Sequence, residues 1–84
     1  MDSADWVTRD EVRAALREWL IRSGRSGADA LTSDTIVILG ADGQTAKTHV
    51  PMRSAGGIVV YEQRWTRKAN GWSLVEDREM WRAR

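Results

Sequence analysis

A chain of 84 residues with no cysteine and a formal net charge of +1 has room for one domain. It excludes a disulfide framework, a thiolate metal site and a thiol nucleophile. The near-neutral balance removes any global electrostatic case for a nucleic-acid partner. Apolar runs fall far short of the roughly 20 residues of a membrane span. Met1 to Trp6 is acidic rather than basic and apolar, so the expectation is a soluble, unexported, cytoplasmic protein with no membrane partner. Five Trp and no Phe lean toward an interaction surface, because Trp is strongly enriched at binding hot spots.

In chain order, residues 1–7 read as a short tail, with Trp6 able to fold back onto a core. Val7-Thr8-Arg9-Asp10-Glu11-Val12 is a helix start: Thr8 can accept from the Glu11 amide, Glu11 can reach back, and Val7 can staple onto Val12. Val12, Ala15, Leu16, Trp19 and Leu20 then recur at helical spacing, predicting a helix over 8–23 with one apolar stripe and Gly24 as its stop. Arg9, Arg13 and Arg17 line the opposite side. They lack the neighbouring base-reading polar residues of a recognition helix and read as a solvated face.

Ser23 to Ser33 reads as a loop. It has the Gly and Ser content of a phosphate loop but neither the Gly-Lys-Ser/Thr ending nor a preceding strand. A strand could begin within Ala28 to Thr32. Thr35 to Leu39 is a β-branched run, and Asp42-Gly43 turns the chain into a second strand over Gln44 to Met52. Pairing across that turn groups Thr35, Val37 and Leu39 with Ala46, Thr48, Val50 and Met52, and sets Ile36 and Ile38 with Lys47 and His49. Pro51 lacks an amide donor and predicts a sheet edge or bulge.

Gly56 to Arg82 forms the long hairpin around which the rest is organised, with its turn at Asn70-Gly71. Strict alternation then puts Val59, Tyr61, Gln63, Trp65, Trp72, Leu74, Glu76, Arg78 and Met80 on one face. Ile58, Val60, Glu62, Arg64, Val75, Asp77, Glu79 and Trp81 fall on the other. The first set, richer in aromatic and large aliphatic residues, is expected on the core side. The whole predicts an α+β domain over 1–84, with one N-terminal helix packed on a four-stranded, curved antiparallel meander spanning 34–82.

On that reading Glu76 and Arg78 are charged groups on an apolar face and must pair, meet water or line a cavity. They are the weak catalytic candidates, Glu76 as general acid or base and Arg78 as anion holder, with Tyr61 and Gln63 as hydrogen-bonding neighbours. The plainer alternative leaves them in solvent or in an interface. Ser54, His49 and Asp34 or Asp42 could compose a triad on paper, but nothing in the sequence orients them. His49 is the only histidine, so no His-rich metal site and no cofactor is expected.

Ala-Leu-Arg-Glu-Trp-Leu closing the helix, Ile-Val-Ile-Leu-Gly-Ala-Asp-Gly-Gln-Thr-Ala, Gly-Gly-Ile-Val-Val-Tyr-Glu-Gln-Arg-Trp-Thr-Arg and the final Gly71-Trp72-Ser73-Leu74 together resemble the nuclear-transport-factor-two-like superfamily. The likeness is strongest to its SnoaL-like members and covers roughly Arg9 to Arg82. It implies a curved sheet wrapped on helices, a pocket at the wide end and dimerisation through the sheet, generally without cofactor. The family includes cyclases, isomerases and dehydratases beside non-enzymatic binding domains. This chain lacks the long helices and strands that the family carries before this helix, together with their acidic and tyrosine residues, so no catalytic residue is transferred.

The expectation is therefore a small non-enzymatic binding module, homodimeric, that holds a protein partner or small apolar ligand with Tyr61, Gln63, Trp65, Trp72, Trp81, Arg64 and Arg67. Alternatives are a minimal cofactor-free isomerase, cyclase or dehydratase with a dimer-completed pocket, a mobile-element inhibitor protein, or a single-stranded nucleic-acid binder that stacks bases on Tyr61 and Trp65 beside Arg64, Arg67 and Lys68.

Overall fold

The computed structural model describes residues 3–24, 35–54 and 56–83. Most of the loop expected over Ser23 to Ser33, including the possible strand start at Ala28 to Thr32, lies outside the described residues. One helix, α1 (Ser3–Arg22), precedes four strands, β1 (Ile36–Leu39), β2 (Thr45–Ser54), β3 (Gly57–Lys68) and β4 (Gly71–Ala83). The strands pair in sequence order as an antiparallel meander. The fold is α+β, with the helix packed on one face of an open sheet.

Val12, Leu16 and Leu20 stand four residues apart, so they share one face of α1, and all three are fully buried. They meet Val37, Ala46, Val50 and Trp65 from three strands. Ala15, Trp19, Leu39, Met52, Trp72 and Leu74 pack around them. The helix ends where Gly24 takes a φ of 77° and the Ser23 amide returns to the Trp19 carbonyl at 2.8 Å. Its start differs from expectation. Residues 3–7 belong to the helix rather than to a tail, and Thr8 lies inside it rather than capping it. Neither Gly nor Pro interrupts Ser3 to Thr8, so nothing stops the helix from propagating upstream. Glu11 reaches Arg67 Nη2 at 3.7 Å.

The first hairpin follows the alternation read from sequence: Val37 pairs with Thr48 and Leu39 with Ala46 toward the helix, while Ile36 and Ile38 oppose His49 and Lys47 on the open side. Its turn closes through Gln44 N–H to Asp42 Oδ1 (2.9 Å) and Gly43 N–H to the Gly40 carbonyl (3.1 Å). Gly43 has a φ of 70°. A side chain at Gly40 would strike Thr45 Oγ1 at 2.1 Å, so this turn needs glycine for space as well as for backbone freedom. β1 begins opposite His49, which leaves the half of β2 beyond His49 as an edge among the described residues, and Pro51 sits there without interrupting a neighbour.

The long hairpin departs from strict alternation. Its turn residues are Ala69 and Asn70, with Lys68 opposite Gly71, and Gly71 supplies the positive φ of 128°. Trp65 opposes Leu74, but Arg64 opposes Glu76, so Val75 is an extra residue in β4. Likewise Tyr61 opposes Glu79 while Val60 opposes Trp81, which makes Met80 a second extra residue. Each bulge reverses which face the following residues take. Between the bulges Glu76 and Arg78 therefore lie on the open face and Asp77 and Glu79 on the helix side, opposite to the expected assignment. The second bulge restores Trp81 to the open face beside Ile58 and Val60.

Electrostatics accounts for the first bulge. Without it Glu62 would oppose Asp77, two like charges directly across the ladder. With it Glu62 opposes Arg78. Leu16→Ala should cost about 3 kcal/mol against a total of about 4 to 13 kcal/mol for a chain of this length. Urea unfolding of the two proteins measures it as a lowered midpoint with an unchanged slope.

Candidate functional site

The sheet presents two polar features, one on each face. On the helix side a hydrogen-bond chain crosses three strands: Trp65 Nε1–H donates to Thr48 Oγ1 (2.9 Å), Thr48 donates to Gln63 Oε1 (2.8 Å), and Gln63 Nε2–H donates to Asp77 Oδ1 (3.0 Å). Trp65 is 3% exposed, and Thr48 and Gln63 are fully buried. Each donor meets an acceptor, which is what makes burying three polar groups tolerable in a small core. The chain follows the register, since Thr48, Gln63 and Asp77 oppose one another along a single row.

One turn of the pleat away, on the open face, His49, Glu62 and Arg78 form the corresponding row. Glu62 is buried. It accepts from His49 Nε2–H at 3.0 Å and from Arg78 Nε–H and Nη2–H at 3.2 and 3.1 Å. The His49 bond, with Arg78 behind it, holds the Glu62 carboxyl below its ordinary pKa despite the opposing pull of burial. The next row holds Ile38, Lys47, Arg64 and Glu76. There Arg64 Nη1 approaches Glu76 Oε2 at 3.4 Å with both side chains about half exposed, and a groove of about 580 Å³ opens over Ile38, Lys47 and Arg64.

The expected site residues therefore separate. Gln63 and Trp65 are interior, and Tyr61 is half-buried on the helix side. Trp72 packs on the core cluster; Arg67 lies over its ring at 5.6 Å and donates to the Gly43 carbonyl at 3.4 Å. Base stacking on Trp65 has no exposed ring to use, and Arg64 and Arg67 point to opposite faces. Glu76 and Arg78 are exposed on the open face, so the core-side acid–base pocket expected around them is not formed. His49 contacts Glu62 rather than a serine; Asp34 lies outside the described residues.

Trp81 is 56% exposed on the open face, together with Ile36, Ile38, Ile58 and Val75. The Glu62 row is not evident from strict alternation along the sequence. The signal that could have found it is the clash between Glu62 and Asp77 in the unshifted register.

Among the described residues no group of His, Asp and Glu could hold a metal ion, and no helix is long and apolar enough to cross a membrane. No family model, no curated protein and no solved structure matches the chain.

Thr48→Val removes the acceptor of Trp65 and the donor to Gln63 in a fully buried site. A loss of about 2 kcal/mol is expected, read by urea unfolding; Thr48→Ser should lose clearly less. The depressed Glu62 pKa has a defined sign. The ionised row contributes stability that is complete above the unfolded-chain value of about 4.3. That contribution is lost as pH falls through the lower folded value. Thermal midpoints followed downward from pH 6 should drop more steeply for the natural chain than for Glu62→Gln.

Proposed function

We propose that this protein is a small, non-enzymatic interaction module that docks a partner on the helix-free face of its sheet, the partner being a second copy of the chain. The observation that carries this reading is Trp81, which stands 56% exposed at the end of the open face where Pro51 and Val60 share its row and Ile58 follows. A tryptophan flanked by aliphatic side chains is the kind of group that anchors interfaces.

A second copy suits this surface because the face carries both signs of charge in solvent, Arg64 and Arg78 beside Glu76. A copy turned about a two-fold axis can therefore set cation against carboxylate. The closed His49–Glu62–Arg78 row supports a docking role over a chemical one, since its carboxylate is already held by two partners. The helix-then-meander order also keeps alive the reading of the chain as a minimal member of the nuclear-transport-factor-two-like superfamily, whose sheets pair in this manner.

Sedimentation velocity over a concentration series tests the proposal. The natural chain should populate a dimer, and Trp81→Ser should raise its dissociation constant by about 30-fold or more while leaving far-UV circular dichroism unchanged. A natural chain that remains monomeric at every concentration contradicts it.

A further inference from the structure

The groove over Ile38, Lys47 and Arg64 carries a local conflict. Lys47 and Arg64 are directly opposed in the β2–β3 ladder, which sets their Cβ atoms about 5 Å apart and makes them mutually repulsive. Glu76 offsets only Arg64, and at 3.4 Å in solvent it does so weakly. Among the described residues Lys47 has no ion pair. The neighbouring row answers the same problem differently, with its one carboxylate placed between two nitrogen donors. A fold that neutralises one row and leaves a cation pair on the next departs from local consistency, and such departures concentrate at functional sites.

The surroundings of that pair form an open groove. The groove of about 580 Å³ is bounded by Ile38, Gly40, Lys47, Arg64, Thr66 and Val75, a volume within the range of small-molecule sites. Val75 reaches this wall as the extra residue of the first bulge and is 64% exposed, so the irregularity that re-pairs Glu62 also places an apolar side chain beside the two cations.

We propose that this groove binds a small molecule with one anionic head and a short apolar body, a medium-chain carboxylate being the simplest example. The head sits between Lys47 and Arg64, accepting charge-assisted hydrogen bonds from both, with the Thr66 hydroxyl within the same wall. The body lies along Ile38 and Val75. A nucleic-acid strand fits less well, since two cations between aliphatic walls offer neither a run of phosphate contacts nor an exposed ring for stacking. The site is about 13 Å along β3 from the Trp81 row and is complete in a single chain; it shares the open face with the proposed pairing, so a bound copy and a bound ligand compete for Arg64.

Titration of the full chain with decanoate, below its micelle concentration and followed by calorimetry and amide chemical shifts, tests the proposal; decanol and inorganic phosphate serve as probes of the separate parts. Decanoate should bind one-to-one, with the largest shifts at Lys47, Arg64 and Val75, and more tightly than either probe. Lys47→Met should weaken it by about tenfold, and Val75→Asp should abolish it. As a readout apart from binding, Lys47→Met should raise the thermal midpoint of the unliganded protein by removing the repulsion. Trp81→Ser, which keeps the chain unpaired and this face open, should bind decanoate at least as tightly as the natural chain, which separates this site from the proposed pairing. Absence of decanoate binding, equal binding of decanol or phosphate, undiminished binding by Lys47→Met, or binding of a single-stranded oligonucleotide in place of decanoate would each overturn the assignment.

Discussion

One extra residue at Val75 decides what each face of this sheet carries. A β-strand has a period of two, so a single insertion exchanges the faces of everything beyond it. Here the exchange moves Asp77 to the helix side, where it ends the Trp65–Thr48–Gln63 chain, and moves Arg78 to the open side, where it grips Glu62. In the regular ladder a buried carboxylate would face a second carboxylate, while an arginine would enter the core side without a carboxylate opposite it. Both outcomes are costly in a domain whose total stability is small. The second insertion, at Met80, limits the exchange to one stretch of β4. It leaves Glu79 and Arg82 on the same face and paired at 2.7 Å, and it returns Trp81 to the open side.

The two faces consequently divide the work. The helix side is held by aliphatic side chains from α1 and three strands around the Trp65–Thr48–Gln63–Asp77 chain, and among the described residues its one buried side-chain donor without an acceptor is Trp72 Nε1, beside a cavity of about 240 Å³ between α1 and β4. The open side has no helix among the described residues. Its middle row is electrostatically closed, and on either side of that row lie the two surfaces that remain unanswered: tryptophan with aliphatic neighbours toward one end, and an unbalanced cation pair with apolar walls toward the other. Placing function on this face follows from what each row lacks.

Much of the architecture was legible in the residues because it rests on local signals that agree with one another. The four-residue spacing of Val12, Leu16 and Leu20 specifies the buried helical stripe. Asp42-Gly43 specifies the first turn, and with it the pairing of Val37 with Thr48 and Ile38 with Lys47. The start of α1 is not legible there, because a strong capping sequence at Thr8 implies a boundary only if the helix does not already run through it. The insertions in β4 carry no local mark, since Val75 and Met80 are ordinary strand residues with neither Gly nor Pro beside them. Strict alternation therefore puts Glu76 and Arg78 on the wrong face and Trp81, beyond both insertions, on the right one. Only the non-local opposition of Glu62 and Asp77 betrays the shift, and reading it requires the register to be known first.

The register of β4 can be tested directly because the chain has no cysteine of its own. Two double variants, Glu62→Cys with Arg78→Cys and Glu62→Cys with Asp77→Cys, would be oxidised under mild conditions and their crosslinking compared; bridging requires the two Cα atoms to lie within about 7 Å with convergent side chains. Efficient bridging at 62 and 78, with little at 62 and 77, is the predicted result. The reverse preference would mean an unbroken ladder, and with it the ionic row, the placement of Val75 and both surfaces of the open face would be wrong.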